Sequence, residues 1–121
     1  MAKSQDIPKF GVCQGIKVIT NAPSVAGPFA ASLFADNGAS VISLENPDIP
    51  EMSRNQFGNT YQMMWRNHRC LTLNIPSPEG KKIFLELIEE ADVFLEASVG
   101  GKWDAWGLSD EVLWEHNPKL V

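Results

Sequence analysis

Gly15 to Asn46, GIKVITNAPSVAGPFAASLFADNGASVISLEN, is the stretch on which the fold turns. Ile16 to Ile19 and Val41 to Leu44 are short apolar runs rich in β-branched residues. Such runs suit strands covered on both faces of a parallel sheet. Between them Phe29, Leu33 and Phe34 recur at helical spacing, and Ala30, Ala31 and Ala35 permit close approach to a sheet. The helix is expected to open on Gly27-Pro28, since a proline in the first turn gives up an N–H that has no intrahelical acceptor. Gly38 is placed to end it and feed the second strand. A βαβ unit of this kind sets its first loop and the helix start at the carboxyl edge of the sheet, where α/β folds take phosphorylated ligands.

Downstream, Pro47 to Arg69 has no clear period and carries a Met-Met-Trp patch. Long irregular connections inside compact domains are usually functional or mobile. Cys70 to Ile75 alternates like a third strand, with Cys70 expected as a small buried residue. Ser77-Pro78-Glu79 predicts an N-capped helix whose stripe is Ile83, Phe84, Leu87 and Ile88. Asp92 to Glu96 reads as a fourth strand and Trp103 to Gly107 as a single helical turn. Ser109 is placed to cap a short helix over Asp110 to Glu115, with Val112 and Leu113 its buried pair. Lys119 to Val121 looks like the start of a fifth strand. The expected fold class is therefore α/β: a Rossmann-like parallel sheet with flanking helices, incomplete, residues 1–121 forming the N-terminal part of a larger domain.

The 121 residues are 44% hydrophobic and 21% charged, ordinary for a globular chain. A net charge of -5 argues against nucleic acid as a partner, which would require a basic face. No segment approaches about 18 consecutive apolar residues, so no membrane span is expected. The opening MAKSQDIPKF lacks the apolar stretch of a secretion signal. Cys13 and Cys70 lie far apart without metal-ligand spacing, which predicts reduced thiols, a cytoplasmic location and no metal.

Three constellations could carry chemistry. The loop Asn21 to Gly27 could cradle a phosphate with its backbone N–H groups, or simply be a well-turned connection. It has neither G-x-G-x-x-G nor G-x-x-x-x-G-K-[ST], which disfavours a dinucleotide oxidoreductase and a P-loop enzyme. Trp65-Arg66-Asn67-His68-Arg69 offers two guanidiniums, an imidazole and an aromatic face, or is a solvated turn with a satisfied histidine. Ala97-Ser98-Val99-Gly100-Gly101-Lys102, followed by Trp103 and Trp106, leaves the fourth strand beside the first loop. There the glycines would admit a ligand and Lys102 would meet a phosphate, or the loop is only a tight turn backed by core tryptophans.

In order along the chain, PKFG, G-I-K-V, A-G-P-F-A, G-A-x-V-I-x-x-E, N-H-R, E-G-K-K-I-F-L-x-L, A-D-V-F-x-E and G-L-S-D-E-V-L-W-E-H-N-P-K-L together resemble the class III CoA-transferases, the CaiB/BaiF family. The similarity is strongest toward its carnitine (crotonobetaine) and bile-acid members. The resemblance implies coenzyme A bound as acyl-CoA, a carboxylic acid acceptor, and an interlocked homodimer. It implies transfer through an aspartyl-CoA thioester on an aspartate that lies downstream of residue 121, so this stretch would be inactive alone. Carried over by motif, Val25 and Ala26 would touch the nucleotide, and Asn46 would stand where some members have arginine. Arg69, Leu73, Asn74, Ile75 and Pro76 would line the adenine side. Ala97, Ser98 and Val99, with Lys102 and Trp106, would line the pantetheine and phosphate side. Val99 and Trp106 replace a lysine and an arginine of carnitine-type members, with Lys102 nearby as a substitute charge. The alternative is a non-catalytic nucleotide-binding or interaction module of Rossmann type.

Overall fold

A computed structural model describes residues 9–56 and 58–121, so Pro8 of the opening PKFG lies outside the described residues. Strands β1 (Lys17–Thr20), β2 (Ser40–Glu45), β3 (Arg69–Thr72) and β4 (Val93–Leu95) form a four-stranded sheet in the order β3-β2-β1-β4. All three pairings are parallel, with Val18 opposite both Val41 and Val93, and Ser43 opposite Cys70. Helices α1 (Ala26–Asp36), α2 (Ser53–Gln56), α3 (Thr60–Met64), α4 (Pro78–Glu89), α5 (Lys102–Ala105) and α6 (Asp110–His116) fill the connections. The chain builds outward from β1 to β3, then crosses back through α4 to place β4 on the other side of β1. That reversal makes the carboxyl ends of β1 and β4 a topological switch point, the usual place for a ligand crevice in an open α/β sheet.

One face of the sheet is covered by α1, where Ala31, Ala35 and Ala39 pack with Val18 and Val41. The helix turns its small residues inward: Gly27, Pro28, Ala31, Ser32 and Ala35 are buried, whereas Phe29 and Leu33 are 46% and 48% exposed. This reverses the expected role of Phe29 and Leu33. The start of the helix presses on the first loop, where a Cβ on Gly27 would fall 2.1 Å from the Ala22 Cβ, and the large α1 residue that packs partly against this cluster is Phe34. The opposite face carries the main core, in which Ile19, Leu44, Phe84, Ile88, Leu108 and Leu113 are buried together.

The N-cap of α4 forms as the sequence predicts, with Ser77 Oγ accepting the Gly80 N–H at 3.0 Å and Pro78 in the first turn. Within α4, Phe84 and Ile88 are fully buried, while Ile83 turns outward at 43% exposure. Ser109 occupies the N-cap position of α6 but its hydroxyl makes no capping bond, and Leu113 rather than Val112 is the buried residue there. Asn117 ties the corner after α6 to the end of α4, its Nδ2 donating to the Ile88 and Ala91 carbonyls at 2.8 and 2.7 Å. Beyond it the Val121 N–H donates to Asp92 O at 3.1 Å and Val121 O accepts the Phe94 N–H at 2.9 Å. Those bonds lay the last residues along the outer edge of β4 in the manner of a fifth strand.

Two departures concern the middle of the chain. The stretch expected to be irregular contains α2 and α3, short helices held by contacts from elsewhere in the sequence. β3 ends at Thr72, three residues earlier than the alternation suggested, and Cys70 is exposed, because β3 is an edge strand and all four of its residues are open.

Candidate functional site

At the carboxyl rim, Asn21 fastens three strands together. Its N–H donates to Leu95 O at 3.2 Å, and its Nδ2 donates to Leu44 O at 3.0 Å. Thr20 Oγ1 also donates to Leu95 O at 2.9 Å and accepts the Ala22 N–H at 3.2 Å. These bonds satisfy strand-end carbonyls that the sheet itself leaves unpaired. Above this rim opens a crevice of about 250 Å³. The first loop (Thr20 to Pro23) and the end of β2 (Ser43 to Asn46) supply its floor. Leu73, Ile75 and Pro76 form one wall, Lys102 and Trp106 another, and Trp65 with Cys70 a third. Ile49 and Glu51 also line it.

The carboxylates of the crevice are engaged within the chain. Glu45 accepts the Glu51 N–H at 2.7 Å and two Arg54 N–H groups at 3.0 and 2.6 Å. The Arg54 hydrogen bond holds the Glu45 carboxyl below its ordinary value, against the opposing effect of burial. Glu51 accepts the Ser24 N–H with both oxygens at 3.2 Å and the Ser53 N–H at 3.1 Å. Ser24 has φ of 71°, a left-handed conformation that aims its N–H at that carboxylate. Glu51 thus holds the segment after β2 against the loop that leads into α1.

Behind the crevice, His68 is wedged between α1 and β2. Its Nδ1 lies 2.8 Å from Ser43 Oγ and its Nε2 lies 3.4 Å from Ser32 Oγ, while Ser32 Oγ donates to Met64 O at 2.6 Å. With the Ser32 hydrogen spent on Met64, Nε2 is the ring donor and Nδ1 accepts from Ser43. Burial lowers the pKa of this histidine, so the ring is neutral at pH 7.

Two aromatic groups border the opening. Trp106 carries the Lys102 Nζ at 4.8 Å from its ring centroid and meets Trp103 edge-on at 5.1 Å. Trp65 stacks on Tyr61 at 4.8 Å with 14° between the planes, and the Arg54 guanidinium lies 4.0 Å from the Tyr61 centroid. The Tyr61 phenol is pushed up to about 12, first by burial and then by its hydrogen bond with Cys70. Among the described residues, no group of three or more His, Cys, Asp or Glu is placed to hold a metal ion. Among them, too, no helix is long and apolar enough to cross a membrane.

A parallel sheet with this rim is shared by many proteins, and the sequence narrows the choice. The profile of CoA-transferase family III matches residues 13–121. The chain belongs to CoA-transferase family III. It is 41% identical over 116 residues to the bile acid CoA-transferase BaiK of Clostridium scindens (strain JCM 10418 / VPI 12708), covering 96% of this chain and 26% of that protein. A CaiB/BaiF family protein from Brucella suis superposes with a TM-score of 0.86 at 28% identity, covering 93% of this chain and 32% of that one. A hypothetical protein from Mycobacterium tuberculosis superposes with a TM-score of 0.83 at 31% identity, covering 89% and 31%. The chain therefore spans about a quarter of the curated relative it matches and about a third of these solved structures.

Of the residues that the family resemblance assigns to CoA, the fold brings Asn46, Leu73, Ile75, Pro76, Lys102 and Trp106 together around the crevice. Val25 and Ala26 sit past the first loop, at the exposed start of α1. Asn74 faces outward while its carbonyl accepts from the Ser77 N–H and hydroxyl at 3.1 and 2.8 Å. Ala97 and Val99 are exposed in the loop after β4, Val99 at 85%, and the Ser98 hydroxyl is buried with no hydrogen-bond partner among the described residues. Arg69 opens β3, and its guanidinium donates to Ser40 Oγ at 2.6 Å, at the amino end of the strands and away from the crevice. Arg66 is likewise engaged, its Nε bonding both Asp36 oxygens at 3.2 and 3.0 Å. The five residues from Trp65 to Arg69 therefore place their aromatic ring in the crevice and their two guanidiniums elsewhere. Ser43, Glu51 and Ile49 went unmarked by sequence reasoning. Ser43 was accessible from its place at the end of a predicted strand, whereas Ile49 and Glu51 reach the site through a loop with no pattern.

Proposed function

We propose that the crevice takes the nucleotide end of coenzyme A, and that the protein moves CoA between carboxylic acids of carnitine/crotonobetaine or bile-acid type. What supports this is the convergence on one rim of Asn46, Leu73, Ile75, Pro76, Lys102 and Trp106, the residues to which the family resemblance gives a CoA role. The bile acid CoA-transferase activity named for BaiK supports the bile-acid alternative.

In the proposed reaction an aspartate carboxylate, supplied outside these 121 residues, attacks the acyl-CoA carbonyl and expels the CoA thiolate, leaving a mixed anhydride. The thiolate then attacks the aspartyl carbonyl and releases the first acid, forming the aspartyl-CoA thioester. The second acid's carboxylate attacks that thioester, and the thiolate returns to it by the same two steps in reverse. The present residues bind and orient. Lys102 supplies positive charge to the phosphates, and Leu73, Ile75 and Pro76 exclude water beside the adenine. Glu45 and Glu51 are committed to Arg54 and to backbone N–H groups, so neither is offered as the nucleophile. An interlocked homodimer and a cytoplasmic location complete the proposal.

The test is calorimetric titration with CoA. Lys102→Ala is expected to weaken binding by about 1–2 kcal/mol, as for one partly solvated charge-assisted contact, while Arg69→Ala leaves it unchanged. A protein that binds NADH and not CoA would end the proposal.

A further inference from the structure

The least expected feature of the crevice is the layered stack that ends in it. Tyr61 and Trp65 lie four residues apart on α3 and at its C-cap, so their rings fall on one side of the helix. One face of a phenol ring cannot hold both an indole centred 4.8 Å away and a guanidinium 4.0 Å away. Arg54 and Trp65 therefore cover opposite faces of Tyr61. Arg54 is itself fixed by two bonds to Glu45 at the end of β2, and the Tyr61 hydroxyl is anchored 3.6 Å from Cys70 Sγ on β3. The order is carboxylate, guanidinium, phenol, indole. Every layer but the last is held on both sides.

The second face of Trp65 carries no ring or cation among the described residues, and Trp65 borders the crevice. Trp106, on the other wall, is already engaged by Lys102 and Trp103. A crevice of about 250 Å³ is below the usual range for a drug-sized ligand, so it suits one end of CoA rather than the whole. A rigid indole favours a flat heteroaromatic ring over a flexible amide chain, which would lose more rotamer freedom on ordering.

We infer that Trp65 is the stacking platform for the adenine ring, with the Arg54–Tyr61 pair as its rigid backing. This rests on the CoA assignment of the crevice and adds to it a recognition residue that the family motifs do not mark.

The experiment compares CoA with 4′-phosphopantetheine, which lacks adenine, on the wild-type protein, Trp65→Leu and Trp65→Phe. Trp65→Leu is expected to weaken CoA roughly tenfold, within the range measured when a base loses its aromatic partner. Phosphopantetheine affinity stays as in the wild type, and Trp65→Phe recovers most of the CoA affinity. Equal loss of both ligands in Trp65→Leu would make Trp65 a merely structural residue and overturn the inference, as would unchanged CoA affinity. If the wild-type protein binds neither compound, the CoA assignment fails and the platform with it. If it binds CoA and only the variant comparison fails, the assignment stands without the platform.

Discussion

Against α1 the sheet meets alanine, glycine and serine, whereas on the other side Phe94 of β4 meets Phe84 of α4 and Trp103 of α5, the three ring centroids lying 5.0 to 5.4 Å from one another. The first face achieves burial by closeness, with a helix whose inward residues are mostly small. The second achieves it by bulk, with rings in edge-on and tilted contact. The difference teaches where each face is vulnerable. A tight layer tolerates no added volume, and an aromatic layer tolerates no removed volume. It also explains the polar strip of Ser32, Ser43 and His68 on the α1 side: small hydroxyls fit under a close helix and leave room for one imidazole.

The sharpest way to break this contrast is Phe84→Ala, which removes a fully buried ring touching both Phe94 and Trp103. A loss of about 3–5 kcal/mol is expected from denaturant melts, and a loss under about 1 kcal/mol would mean the aromatic layer repacks freely. Next comes the opposite perturbation on the opposite face. Ala31 is fully buried on α1, and Ala31→Leu is expected to cost about 1–3 kcal/mol through overpacking. Stabilisation by that leucine would refute the close approach.

A smaller effect tests the polar strip. The folded pKa of His68 is depressed, so between that value and its ordinary 6.5 the unfolded chain holds the proton that the folded chain refuses. The stability associated with the neutral ring is present above pH 6.5 and declines as pH falls toward the folded pKa. Thermal midpoints measured from pH 7.5 down to 5.5 should fall with acidity, and His68→Gln should flatten the trend. An equal slope in the variant would place the titration elsewhere. Smallest of all, Lys17→Met removes a salt bridge to Glu90 whose partners are 53% and 76% exposed. A change within about 1 kcal/mol is expected. A larger one would show that this ion pair contributes more than its exposure allows.

The fold was largely legible because local signals and topology agreed. The β-branched runs of β1 and β2, the Gly-Pro opening of α1, and Ser77-Pro78 before α4 each state a backbone preference that tertiary packing then keeps. The placement of α1 was less legible, since Phe29 and Leu33 advertise an apolar face while Gly27, Ala31 and Ala35 determine which side can approach the sheet. α2 and α3 were hidden for a different reason. Ser53–Gln56 has no apolar period, and long-range bonds hold this part of the chain: Arg54 to Glu45, and Glu51 to Ser24. A crevice at the carboxyl rim followed from the βαβ pattern and the loop after the fourth strand, which carries Lys102 and Trp106, whereas Asn46 came from the family resemblance. Which way side chains point did not follow. Arg69 and Cys70 adjoin in sequence, yet only Cys70 reaches the crevice, because neighbouring strand residues face opposite ways and Arg69 stands nearer the amino end.

Asn117 joins the end of α4 to the corner beyond α6 by donating to Ala91 O and, alongside the Ala91 N–H, to Ile88 O. Detaching the C-terminal segment would take a buried donor from each of these carbonyls. Amide protons at the end of α4 and in α6 should therefore exchange with deuterium together, as one cooperative unit, even though twenty residues of chain separate the two helices.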